Sequence, residues 1–86
     1  MVKVLKFSAA WCGPCKVLSP VFEQVKGEIS GVNYIDIDVD TNRAMAQAYS
    51  ITGVPAVIIE KEGQVVNRIM GMNPKSAYIK AIKEAL

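Results

Sequence analysis

Cys12 and Cys15 are the only two cysteines in this 86-residue chain, and there is no histidine. Their spacing is about one helical turn, so on a helix the two side chains share a face and can meet. A bridge across so short a loop removes little entropy from the unfolded chain and is a weak staple; it makes more sense as chemistry. Where a helix begins, free backbone N–H groups and the positive end of the helix dipole favour an anion. At Cys12 that anion is a thiolate, with a pKa expected to fall from about 8.5 toward about 7. Cys12 is therefore expected to be the exposed nucleophile. Cys15, one turn further in, is expected to be more buried and harder to ionise. Cys12 attacks a disulfide in a partner and forms a mixed disulfide. Cys15 then attacks that bond, releases the partner reduced and leaves Cys12–Cys15 oxidised. Between them, Gly13 lets the backbone turn and Pro14, with its fixed φ, stiffens the bridge.

Metal binding is the rival chemistry. One thiolate pair without histidine cannot complete a four-ligand zinc or iron–sulfur site unless a dimer shares it. Two thiolates do suit Cu(I). Small copper carriers of this length, however, run β-α-β-β-α-β and place Met two residues before the first Cys. That position here is Ala10, and the order of elements differs.

The elements that must position the pair can be read along the chain. Val2 to Phe7 carries apolar residues on both faces, as expected of a strand covered on both sides. Ser8 to Gly13 is a loop of small residues around Trp11. A helix follows, with Val17, Leu18, Val21, Phe22, Val25 and Ile29 at helical spacing and Pro20 inside it. Val32 to Val39 is a strand with Ile35, Ile37 and Val39 on one face and Tyr34, Asp36 and Asp38 on the other. Asp40-Thr41-Asn42 is expected to cap a short helix with Met45, Ala48 and Tyr49 as its apolar side. Pro55 to Glu60 and Gln64 to Met70 form a hairpin around Lys61-Glu62-Gly63. Asn73-Pro74 opens a last helix with Ile79, Ile82 and Leu86 inward. The order β-α-β-α-β-β-α implies a parallel front pair with a right-handed crossover, and an α/β fold: a mixed four-stranded sheet with helices on both faces. The first cysteine falls at the carboxyl end of the first strand, where open α/β sheets place their sites.

Composition narrows the class. An apolar content of 51% is high for a soluble chain this short, so most long apolar side chains are expected inside. Residues 1–86 suffice for one domain. The net charge of +2 is interleaved, with no basic run, which argues against nucleic acid. No apolar stretch approaches the roughly 20 residues that span a bilayer, and Met1 to Phe7 is too short and mixed for a signal peptide. The expectation is a soluble cytoplasmic monomer with no membrane partner.

Trp11-Cys12-Gly13-Pro14-Cys15-Lys16 resembles the thioredoxin-family active-site motif in full. Pro20, Asp38-Val39-Asp40, Gly53-Val54-Pro55 and Gly71 match further family positions, so the resemblance covers the whole chain. It implies a minimal thioredoxin fold and a protein-disulfide reductase that acts on disulfide-containing proteins. A thioredoxin-reductase-type donor would return the electrons, and no cofactor is needed beyond the redox-active Cys12–Cys15 disulfide. It also implies a shallow substrate groove lined by Trp11, Gly13, Pro14, Gly53, Val54, Pro55 and Gly71, with Pro55 in cis and the Val54 backbone open to an extended peptide. Three departures stand out. Full-length relatives have a strand and helix before the strand that leads into the motif; Ser8 replaces a usual aromatic; and Lys6 and Asp36 occupy the places of a buried aspartate and its lysine partner, with the charges exchanged. On the family's pattern, Lys6 and Asp36 would form a partly buried pair under Cys15 and handle its proton. A glutathione-linked, glutaredoxin-like reductase is the alternative within the class. The short length favours it, and Gly13-Pro14, where glutaredoxins usually have Pro-Tyr, opposes it. A thioredoxin-fold interaction module is the alternative outside it.

Overall fold

A computed structural model describes all of residues 1–86. The elements are β1 (Val2–Ser8), α1 (Gly13–Glu28), β2 (Val32–Asp38), α2 (Arg43–Ala48), β3 (Ala56–Lys61), β4 (Gln64–Met70) and α3 (Lys75–Ala85). The expected β-α-β-α-β-β-α order is the one found, and the sheet order is β2-β1-β3-β4. β1 is parallel to β2 and antiparallel to β3, and β3 is antiparallel to β4. A central β1 explains why apolar residues occupy both of its faces: Val2 and Val4 serve one layer, Leu5 and Phe7 the other.

The larger layer joins Val2, Val4, Val57 and Ile59 to Leu18, Phe22 and Val25 of α1 and to Tyr78, Ala81 and Ile82 of α3. Phe22 stands edge-on to Tyr34 and Tyr78, with ring centroids 6.2 Å and 5.5 Å away. The opposite layer gathers Leu5, Phe7, Ile37, Ala56 and Ile58, with Tyr49, Ile51 and Val54 packed against them. Two helices therefore cover one face and α2 covers the other.

Several expectations need correction. α2 buries Ala46 and part of Tyr49, while Met45 and Ala48 are exposed, because a six-residue helix offers less than two turns to its sheet. Asn42 makes no side-chain cap. Asp38 instead holds the turn before the helix: its carboxylate accepts the N–H groups of Asp40 (2.8 Å) and Thr41 (3.3 Å), and β2 ends there, one residue early. Pro74 is itself the N-cap of α3, and Asn73 instead donates to the carbonyls of Met70 and Gly71. Val17 and Leu86 are exposed, Val17 on the outer side of α1 and Leu86 just past the last turn of α3.

The β3–β4 hairpin turns on Glu62 and Gly63, both with positive φ (52° and 80°). Two consecutive positive φ values are the signature of a type I′ turn, which matches the twist of the strands and favours Asn-Gly. Glu62 occupies this left-handed position against its steric preference. Glu62→Asn is expected to stabilise the protein by about 0.5 kcal/mol, read as a raised denaturation midpoint at unchanged m-value.

Candidate redox site

β1 ends at Ser8, and the chain turns through Ala9 to Trp11 before α1 begins. The Cys12 N–H donates to the Ala9 carbonyl (3.1 Å), and the Val39 N–H donates to Ser8 (2.9 Å), which ties the end of β2 to the end of β1. Cys12 is the N-cap of α1, and its Sγ accepts the Cys15 N–H at 3.2 Å. The sulfur thus takes the place of the Ser or Asp oxygen usual at an N-cap, and it receives one of the helix's otherwise unpaired donors. Cys12 and Cys15 are joined as a disulfide, with Cα atoms 5.3 Å apart.

Cys12 was expected to be exposed and Cys15 buried. In the disulfide form the two are alike, at 4% and 5% of full exposure. Both sit in a small apolar cluster with Ala9, against Val39 and Val54. Cys12 is covered because the loops after β2 and before β3 close over it, a long-range effect that its place at a helix start does not reveal. Residue burial therefore does not distinguish the two, whereas hydrogen bonding does: the Cys12 sulfur accepts the Cys15 N–H.

Of the residues expected to line a substrate groove, Val54 packs directly against the pair. Trp11 is not a core aromatic: 70% of it is exposed, and its indole Nε1 donates to Asp40 Oδ2 at 2.8 Å. Gly13, Pro14 and Gly53 are exposed beside the buried disulfide. The Val54–Pro55 bond is cis, and Val54 packs against the cysteine cluster. Gly71, at φ +74°, donates its N–H to the Pro55 carbonyl at 2.9 Å. That left-handed φ explains a glycine at this point, where the chain leaves β4 and returns to the proline loop. Exposed Met70 and Met72 flank it, which sequence reasoning did not single out. The largest hollow, an open groove of about 420 Å³ between β4 and α3 near Asn67, Asn73 and Lys80, includes none of these groove residues.

Lys6 and Asp36 are register partners on β1 and β2, and Lys6 Nζ lies 3.4 Å from Asp36 Oδ1. The Lys6 side chain is 8% exposed and that of Asp36 is 56% exposed. Two contacts went unread in the sequence. The Lys6 ammonium stands 5.4 Å from the Phe22 ring centroid, a cation–π contact. Lys26, pulled toward its charged form chiefly by a hydrogen bond to Glu23 against the opposing effect of burial, also reaches Asp36 (3.5 Å). The pair was expected under Cys15. The expected ion pair is formed, and the helix residues it meets are Phe22 and Lys26.

A sulfur pair in one turn of helix opens and closes readily by exchange with another thiol or disulfide, and the protein is by class a thiol–disulfide oxidoreductase. The family model for thioredoxin matches residues 1–84. A thioredoxin of Mycolicibacterium smegmatis is 40% identical, the match covering 96% of this chain and 77% of that protein. A thioredoxin of Chlamydia trachomatis is 37% identical, covering 94% and 79%. Among solved structures, Fasciola hepatica thioredoxin superposes with a TM-score of 0.92 at 34% identity, covering 99% of this chain and 81% of that one. The oxidised mitochondrial thioredoxin 3 of Saccharomyces cerevisiae gives 0.91 at 32% identity, covering 96% and 77%. The chain belongs to the thioredoxin family.

Proposed function

We propose that this protein is a reductant of protein disulfides, with Cys12 as the attacking and Cys15 as the resolving thiol. The observation that carries the assignment is the hydrogen bond from the Cys15 N–H to Cys12 Sγ at the helix N-cap. In the reduced protein the same donor and the dipole of a 16-residue helix favour negative charge on Cys12. The Cys12 thiolate attacks one sulfur of the partner's disulfide. That S–S bond breaks, and the departing partner thiolate takes up a proton. Cys15, deprotonated, attacks Cys12 Sγ; the mixed bond breaks, the second partner thiolate is protonated, and Cys12–Cys15 closes. The partner gains two electrons and two protons, and a reductase-type donor returns the electrons by the reverse exchange.

In this reading the target peptide lies across Trp11, Gly13 and Pro14 on one side and Gly53, Val54, Pro55 and Gly71 on the other. The exposed indole and the two methionines beside Gly71 give an apolar, adaptable rim that suits many targets. A reductant of this kind belongs in a reducing compartment, and the cytoplasm as a monomer is the setting proposed. Lys6 and Asp36 enter as the pair that supports β1 and β2 under α1.

The test is the equilibrium of the Cys12–Cys15 couple against glutathione, followed by trapping and mass. A potential near about −270 mV is expected, and one near about −120 mV makes the protein an oxidant and overturns the reading.

A further inference from the structure

We infer that Tyr49, Glu60 and Arg68 form a clamp that positions the Val54–Pro55 segment for protein targets, a role that rests on the docking reading above. Glu60 is one of only two charged residues buried in the protein, at 7% exposure in β3. The sheet pairs it with Lys3 on one side and Val65 on the other. Its Oε2 accepts the Tyr49 hydroxyl in a short hydrogen bond. That bond, with burial behind it, raises the Tyr49 pKa. The Tyr49 ring packs on Phe7, centroid to centroid 5.7 Å.

Tyr49 is where α2 ends. The Ser50 N–H donates to the Gln47 carbonyl (3.0 Å) and the Ile51 N–H to the Ala46 carbonyl (2.8 Å). These two bonds define a Schellman turn, in which the residue after the C-cap is left-handed and usually glycine. Here it is Ser50, at φ +55°. A non-glycine residue in that region persists when its surroundings hold it. Arg68, on β4, supplies the hold: its guanidinium donates to the carbonyls of Tyr49 (2.7 Å) and Ser50 (3.2 Å). Three residues from two strands and a helix end thus converge on one strained turn. Four residues beyond that turn is Val54, against the cysteine cluster. The disulfide chemistry uses none of the three, yet burial of a carboxylate is costly unless its partner gives something in return. What the partner gives is a fixed origin for the loop that carries Val54.

Tyr49→Phe keeps the ring on Phe7 and removes only the hydroxyl. It is expected to raise KM for a protein disulfide, with insulin as the probe, about fivefold, the worth of one hydrogen bond. The kcat for insulin and the second-order rate with the small disulfide 5,5′-dithiobis(2-nitrobenzoate) should stay within about twofold. Glu60→Gln retains an acceptor for the hydroxyl and should keep the parent KM, whereas Glu60→Ala should match Tyr49→Phe. Amide exchange should quicken across residues 51–54 in Tyr49→Phe with β1 amides unchanged. Equal losses toward insulin and the small disulfide, or unchanged KM in Tyr49→Phe, overturn the clamp. Val54→Asp, measured alongside, separates the layers. If it raises KM and Tyr49→Phe does not, the clamp alone fails; if it leaves KM unchanged, docking at Val54 fails and the clamp with it.

Discussion

A Cys15→Ser variant accumulates mixed disulfides with protein targets, and the target is bound through Cys12 in each. The expectation follows from the order of events at the N-cap. The first attack needs only the Cys12 thiolate, which the Cys15 N–H still steadies, since that donor is backbone and survives the substitution. The second attack needs a thiol held within one helical turn, and serine cannot supply it. Loss of that intramolecular partner forfeits a large effective concentration, so multiple-turnover reduction of insulin should fall by at least about a thousandfold. Cys12→Ser should lose activity to the same degree but trap nothing. Mass spectrometry of adducts after mixing with a disulfide protein reads the difference. The order in which the reduced cysteines are alkylated makes a second readout. A faster Cys12, with a rate midpoint below the free-thiol pKa, would report thiolate character. Trapped adducts on Cys15 in a Cys12→Ser variant would reverse the assignment.

How much of this was readable in the chain varies with the range of the interactions involved. The strands were legible because β1 is central, so Val2, Val4, Leu5 and Phe7 had to be apolar on both faces, and because Glu62-Gly63 marks the hairpin. The site was legible because Cys12, Pro14 and Cys15 carry their geometry locally, in a helix start. What was misread depends on partners far away in sequence. Cys12 is covered in part by Val39 and Val54, which are distant in sequence. The apolar side of α2 was drawn through Met45 and Ala48 by periodicity, but the helix ends after six residues, and the fold uses Ala46 and Tyr49. Asp38 capped the turn in place of Asp40 because β2 releases the chain at that residue. Glu60 gave no hint of its role, since a glutamate at the end of a strand reads as a solvated charge until the Tyr49 hydroxyl is placed against it.

The exchanged charges carry the last and most quantitative expectation. Removing Asp36 and removing Lys6 are not equivalent, because the two ends of the pair differ in burial, at 56% and 8% exposure. Asp36→Ala strands an ammonium among Phe22 and the strand residues, with only the ring face to compensate it, and should cost about 2–3 kcal/mol. Lys6→Ala leaves a half-solvated carboxylate that still has Lys26 at 3.5 Å. It should cost about 1–2 kcal/mol, mainly through lost packing under α1. The double variant should lose less than the sum by about 1 kcal/mol, as expected for groups in direct contact. Lys6→Met removes the buried charge while filling its space, and should be neutral or stabilising where Lys6→Ala is not. Urea melts of the four proteins close the cycle, and additive losses would remove the pair from the account of stability. The same variants bear on catalysis. The side-chain partners of Asp36 are Lys6 and Lys26, so Asp36→Asn is expected to leave the rate of mixed-disulfide resolution within about twofold at neutral pH. A tenfold slowing confined to pH values near neutrality would instead require a proton path from Asp36 to Cys15 and would place the pair in the chemistry.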